Sequence, residues 1–131
     1  MNFDDFVGLP YREAGRGPDT YDCYGLVAAV LKVARGVSLP DWHTEAAGTQ
    51  AASRAISEAL RGEVAEGRSV RVDKPVDFDI AIIGSALRPH HIGVVVEDGV
   101  LHASRTFGSA WHQLGRFLTI YPHTEFYRWH P

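Results

Sequence analysis

The chain has one cysteine, Cys23, in 131 residues. No intramolecular disulfide can form, and zinc clusters built from several thiolates are excluded. No apolar run approaches the roughly 20 residues that a membrane helix needs, so membrane insertion is not expected. No block of arginine and lysine stands out. Thirteen basic against 16 acidic residues give a formal net charge of -3, which offers little electrostatic reason to bind nucleic acid. G-x-G-x-x-G and strict βαβ alternation are both absent, which argues against a dinucleotide fold. H-E-x-x-H is absent as well, and no metal or other cofactor is expected. The opening MNFDDFVGLPY starts acidic and lacks the apolar stretch of a secretory signal. The expectation is synthesis in the cytoplasm, with any work outside it needing another route out.

With 45% hydrophobic and 22% charged residues, the chain has the composition of a soluble globule rather than a disordered segment. Its length suits one domain, 1–131, and no internal repeat or linker divides it. Asn2 is placed to cap a brief helix carrying Phe3, Phe6 and Val7. Gly8, Pro10, Gly15, Gly17 and Pro18 then break regular structure. The segment CYGLVAAVLKVARG gives the clearest helix, with Leu26, Val27, Val30, Leu31 and Ala34 on one face and Gly36 as its stop. Gly25 in its first turn costs about 1 kcal/mol against alanine, and close approach of another segment is one reason to keep it. A second helix is expected over Thr49–Leu60. The period then changes. Val70 and Val72 alternate with charges as on an edge strand, and Phe78–Ile83 and His91–Glu97 read as strands. Asp98-Gly99 is a two-residue hairpin signal, with Val100–Ser104 returning beside it. Gly115 separates Trp111–Leu114 from Phe117–Tyr121, and Phe126–Trp129 supplies a last strand. Helices first and strands afterwards predict an α+β fold, with N-terminal helices packed on a mostly antiparallel sheet.

Cys23 follows Asp22 at the start of the main helix, where unpaired N–H groups and the helix field favour an anion such as a thiolate. Asp22 reads as the N-cap. A lone cysteine is also an ordinary buried residue, so a nucleophile needs a base and a group to hold that base. His91 opens the strand HIGVVV, and Gly93 leaves room above it on the same face. His102 lies in the return strand VLHAS. A turn at Asp98-Gly99 opposes Val95 to His102 and puts both histidines on one face. It also leaves them offset by about four residues, roughly 13 Å. His102 as a half-buried sheet residue stays open on this reading. His90 competes with His91 but falls on the other face. His43, His112, His123 and His130 show no matched partner. Tyr11 precedes the glycine-rich loop, placed either to donate to an oxyanion or simply to pack.

At these residues the chain resembles the NlpC/P60 family of papain-like cysteine peptidases, and most of all its phage-tail and phage-like-particle cell wall peptidase branch. The run GLPYREAGRGPDTYDCYGLV, residues 8–27, carries the tyrosine, the glycine-rich loop and the aromatic-Asp-Cys-x-Gly-Leu segment. HIGVVV followed by GVLHAS carries the histidines, and Asp77–Ile83 loosely matches the strand before them. The resemblance implies Cys23 as nucleophile, His91 as general base, His102 as the polar residue that orients His91, and Tyr11 at the oxyanion site. Tyr24 stands where many bacterial members have serine, and Glu13-Ala14-Gly15 where a double glycine is frequent.

The implied activity is hydrolysis of amide bonds in peptidoglycan stem peptides, often between D-γ-glutamate and a diamino acid. Phage tail proteins are the implied partners, and a phage tail or phage-like particle acting at the host cell envelope is the implied location. Two alternatives use the same chain differently. One is a structural tail-tip or assembly protein with this fold. The other is an amidase or acyltransferase on another acyl substrate.

Overall fold

The computed structural model describes residues 2–13, 15–39, 58, 62, 66–84 and 89–130. A short 3-10 helix, Phe3–Phe6, is capped by the Asn2 side chain, and the loop that follows leads into α1, Cys23–Arg35. The expected second helix lies outside the described residues apart from Glu58. Among the described residues six strands come next: β1 Ser69–Val72, β2 Ile80–Gly84, β3 Pro89–Val96, β4 Gly99–Ser104, β5 Gly108–Gln113 and β6 Thr124–Trp129. The helix α2, Leu114–Ile120, stands between the last two. The strands form one sheet in the order β1-β6-β2-β3-β4-β5, with every neighbouring pair antiparallel. The α+β expectation holds.

Both faces of the sheet are covered, so strand residues of both parities are apolar. On one face Leu26, Val27, Val30 and Leu31 of α1 pack with Ile80, Ile82, Ile92, Val94 and Leu101. On the other, Ala81, Ile83, Val95 and Val100 meet Phe117 of α2 and Phe126. Gly36 closes α1 in the left-handed region at φ 65°, with its N–H returned to the carbonyls of Leu31 and Lys32.

Two expectations change. Gly115 does not separate two segments; it sits in the first turn of α2. Gln113 caps that helix by accepting from the Arg116 N–H at 3.0 Å. Leu114, Phe117, Leu118 and Tyr121, at helical spacing, turn toward the second face. The hairpin turn also moves by one residue. Val96 pairs with Gly99, so Glu97 and Asp98 form the loop, with φ 49° and 60° as a type I′ turn requires. Gly99 instead opens β4, where an added Cβ would run into the Trp111 ring. Trp111 is held there by donating from Nε1 to the Val96 carbonyl at 2.7 Å.

Gly25 shows why the first turn of α1 tolerates a poor helix former. A Cβ there would overlap the Gly15 carbonyl oxygen of the preceding loop. Helix propensity alone predicts that Gly25→Ala stabilises by about 1 kcal/mol. The overlap predicts the reverse sign, a loss on the order of 1–3 kcal/mol. Urea unfolding of the variant decides between them, and a gain in stability would show that the loop is free to move.

Candidate active site

The start of α1 is built by the loop before it. The Asp22 carboxylate caps the helix, accepting from the Gly25 N–H at 2.6 Å. Its same oxygen, Oδ1, takes the Arg16 guanidinium at 2.5 Å. Arg16 also donates to the Gly15 carbonyl, at 3.1 Å. The acidic neighbour of Cys23 is thus tied down by a cap bond and an ion pair. Cys23 itself is buried in the core cluster on the α1 side of the sheet. Arg16 is a site residue the sequence reading missed; its spacing of six residues from Asp22 belongs to no helical or strand pattern.

The histidines come from the sheet. The moved turn opposes His102 to Gly93, not Val95 to His102. His91 is therefore offset from His102 by two residues rather than four, a diagonal pair. Its Nε2 lies 2.9 Å from His102 Nδ1. Gly93 makes this possible, since a Cβ there would press on the His102 Cβ at 3.2 Å and on Val100 at 2.8 Å. His91 also sits at the irregular end of β3, where the pairing with β2 shifts between Ile83 and Gly84. Such bulges bend a strand and re-aim its side chains.

His102 is fully buried, at 0% exposure. Phe117 of α2 and Tyr121, at the C-cap of that helix, stand edge-on to its ring, at 5.4 and 6.2 Å between centroids. Its second nitrogen, Nε2, lies 3.0 Å from Nδ1 of His112 on β5. His112, left without a partner in the sequence reading, is the third member of a chain. The ring nitrogens address one another in sequence rather than a common point. Burial first, then the neighbouring His91 and His112, push the His102 pKa down to about 3, so the ring is neutral near pH 7.

A cavity of about 210 Å³ opens at this end of the sheet, lined by Tyr11, His91, His102, Ser104, Arg105 and Tyr121 among others. Tyr11 packs with the α1-side core and Tyr121 with the α2-side core. The cavity therefore wraps the end of the sheet, where residues of both faces are in reach. Burial and then the nearness of Cys23 raise the Tyr11 pKa above its ordinary value, while a hydrogen bond from Arg105 pulls the other way. Tyr11 is thus held as a phenol that keeps its O–H, and it lies close enough to Cys23 for a thiolate there to oppose its ionisation. Arg105 is held on its other side by an ion pair with Glu13. The structure brings His91 and His102 into direct contact and sets Tyr11 in their cavity. Through Tyr11 it links that cavity to the helix start that carries Cys23.

A model of the NlpC/P60 family matches residues 8–112. The chain belongs to the NlpC/P60 family. Its α+β fold is the papain-like one, and members of the family are generally cysteine peptidases and hydrolases. Solved structures agree on the fold. The NlpC/p60 domain of the peptidoglycan hydrolase SagA superimposes with a TM-score of 0.58 at 18% identity, over 95% of this chain and 89% of that one. NlpC1 from Trichomonas vaginalis gives 0.62 at 17% identity over 96% of this chain. An NlpC/P60 family protein from Bacillus cereus gives 0.60 at 20% identity over all of it. The chain spans 41% of each of the latter two. No curated protein matches the chain.

The depressed pKa of His102 makes stability of this NlpC/P60 domain depend on pH. Unfolded, the imidazole takes up a proton near pH 6.5; folded, it does so only near pH 3. Between these values the unfolded state binds more protons, so stability rises with pH. It is lost as the pH falls from about 6.5 toward 3, with a slope from this group of up to about 1.4 kcal/mol per pH unit. Urea unfolding from pH 7 to pH 4 is expected to show that slope in the wild type and a flatter one in His102→Gln. Equal slopes would mean that His102 takes up its proton in the folded state as easily as in the unfolded chain.

Proposed function

We propose that this protein is a cysteine endopeptidase that hydrolyses amide bonds of peptidoglycan stem peptides. Cys23 is the nucleophile, His91 the general base, His102 the residue that orients His91, and Tyr11 a donor at the oxyanion site. The observation that carries the reading is the His91–His102 hydrogen bond at 2.9 Å, on a cavity that Tyr11 also lines. A family membership alone would not assign these roles to these atoms; the pairing of the second ring nitrogen of His91 supplies a physical reason.

That pairing occupies Nε2 and leaves Nδ1 as the nitrogen for chemistry. In the proposed reaction His91 Nδ1 takes the Sγ proton, and the thiolate attacks the amide carbonyl. The new oxyanion accepts from the Tyr11 hydroxyl and from the backbone N–H of Cys23. The imidazolium returns its proton to the leaving amine, whose C–N bond breaks to leave a thioester. Water, deprotonated by His91, then releases the acid and restores the thiol. Arg16 supports the same chemistry indirectly. By engaging Asp22 it reduces the opposition that a bare carboxylate beside Cys23 would offer to a thiolate.

The substrate class is supported by the family and by the SagA likeness, and the D-γ-glutamyl–diamino acid bond is the first candidate within it. Carriage on a phage tail or phage-like particle is supported by the resemblance of residues 8–27 to that branch.

Purified muropeptides incubated with wild type and Cys23→Ala test the proposal by mass spectrometry. Cys23-dependent fragments are expected, and their masses name the bond; a different acyl substrate would instead leave the muropeptides whole. Failure of folded wild type to cut any wall chemistry would turn the reading toward an assembly role. Tyr11→Phe keeps the ring and removes the donor. Its kcat is expected to fall by about 10²-fold with KM little changed; an unchanged kcat would take Tyr11 out of the oxyanion site.

A further inference from the structure

We propose that His112 is a positioning residue for the catalytic base: it accepts a hydrogen bond from His102 and thereby fixes the direction of every proton in the His91–His102–His112 chain. The proposal deepens the peptidase reading and rests on it for the role of His91. It goes beyond that reading by assigning a role to a third histidine, on a separate strand.

The chain is diagonal across three strands. His102 sits on the middle one, opposite Gly93 on β3 and opposite Ala110 on β5. Both direct partners are small. The diagonal neighbours, two residues away on either side, are His91 and His112, and each reaches His102 with one ring nitrogen. His102 thus spends both nitrogens on other imidazoles. Being buried and neutral, it carries a single N–H and must donate with one nitrogen and accept with the other.

Only two proton orders satisfy both bonds. In the inward order His112 Nδ1–H donates to His102 Nε2, and His102 Nδ1–H donates to His91 Nε2. That leaves the proton of a neutral His91 on Nδ1, the nitrogen assigned to receive the thiol proton. In the outward order His91 Nε2–H donates to His102 Nδ1, and His102 Nε2–H donates to His112 Nδ1. His91 Nδ1 is then bare and able to act as a base. Once it has taken the proton, the imidazolium carries N–H on both nitrogens, and a His102 Nδ1–H facing it would set donor against donor. The outward order alone serves both stages of the reaction. An acceptor at the position of His112 Nδ1 selects it, because it gives the His102 Nε2–H a partner inside the protein. His112 is half-buried on β5, with the Phe107 ring beside it at 6.1 Å between centroids.

The tautomers are read directly by 15N NMR of the histidine rings, which needs no substrate. The wild type is expected to show His102 with its proton on Nε2; a proton on Nδ1 overturns the proposal. His112→Leu removes the acceptor, and His112→Asn keeps an acceptor oxygen near the place of Nδ1. With folding checked by circular dichroism, His112→Leu is expected to lower kcat on muropeptides about 10-fold, as loss of a group that orients a functional histidine does elsewhere. KM should hold, and His112→Asn should recover most of the loss. In a His102→Ala background His112→Leu should have no further effect, because its influence passes through His102. Equal losses in the Leu and Asn variants, or a full His112→Leu effect without His102, would show a merely structural role and overturn the proposal. If wild type cleaves nothing yet shows the Nε2–H tautomer of His102, lost in His112→Leu, the peptidase reading fails while the relay stands.

Discussion

A neutral imidazole buried without access to water must find partners for both of its nitrogens, and this requirement at His102 organises the β3–β4–β5 side of the sheet. An unsatisfied buried polar group costs about 1–3 kcal/mol. Here both nitrogens are satisfied, at 2.9 and 3.0 Å, by side chains that are diagonal rather than opposed. Diagonal reach depends on the opposed positions being small, which Gly93 and Ala110 are. It also depends on a register in which those residues, and not their neighbours, face His102. The rings of Phe117 and Tyr121 stand edge-on against His102. Packing and register are therefore one constraint, and the orientation of His91 at the cavity follows from it.

The start of α1 solves a different problem with similar economy of parts. Cys23, at a helix N-terminus whose field favours an anion, sits next to the carboxylate that caps the same helix. Asp22 Oδ1 answers this by accepting simultaneously from the Gly25 N–H and from Arg16. The loop can deliver Arg16 because its Gly15 carbonyl lies against the helix at Gly25, where any side chain would block it. That carbonyl also accepts from the Asp22 N–H at 3.1 Å. A glycine that weakens the helix by propensity is what lets the loop and its counter-charge approach.

Local signals in the sequence read α1 closely: its cap, its apolar face, its glycine stop and its cysteine are each stated by a few adjacent residues. The strands were legible from alternation and β-branched runs. The helix α2 was not, because a glycine in the first turn of a seven-residue segment reads as a break, and its capping residue is a glutamine. The histidine pair was legible in part. Parity put His91 and His102 on one face, while their reach depended on a register that single-strand patterns do not contain. His112 was hidden for the same reason. Its link to His102 exists only once β4 and β5 are paired, and no spacing along the chain encodes that pairing.

The one-residue displacement of the hairpin turn shows how much chemistry can hang on register. In a two-residue hairpin, moving the loop by one position changes the sum of each pair of opposed residue numbers by two. Faces are preserved, so a parity argument survives the error. Distances along the strands are not, and the offset between His91 and His102 halves from four residues to two. Asp-Gly is the stronger turn signal, since glycine adopts positive φ freely while glutamate at φ 49° does so at some cost. The displaced loop prevails because Gly99 has a tighter task inside the strand, leaving space for the Trp111 ring, whose Nε1–H is paired with the Val96 carbonyl. Trp111 and His112 are adjacent on β5 and point to opposite faces. Seating the tryptophan on the α1 side sets the pairing of β4 with β5 that presents His112 to His102 on the other. The turn, the tryptophan and the histidine chain are thus fixed together, and a change that freed Gly99 from Trp111 would be felt at the cavity that His91 and His102 line.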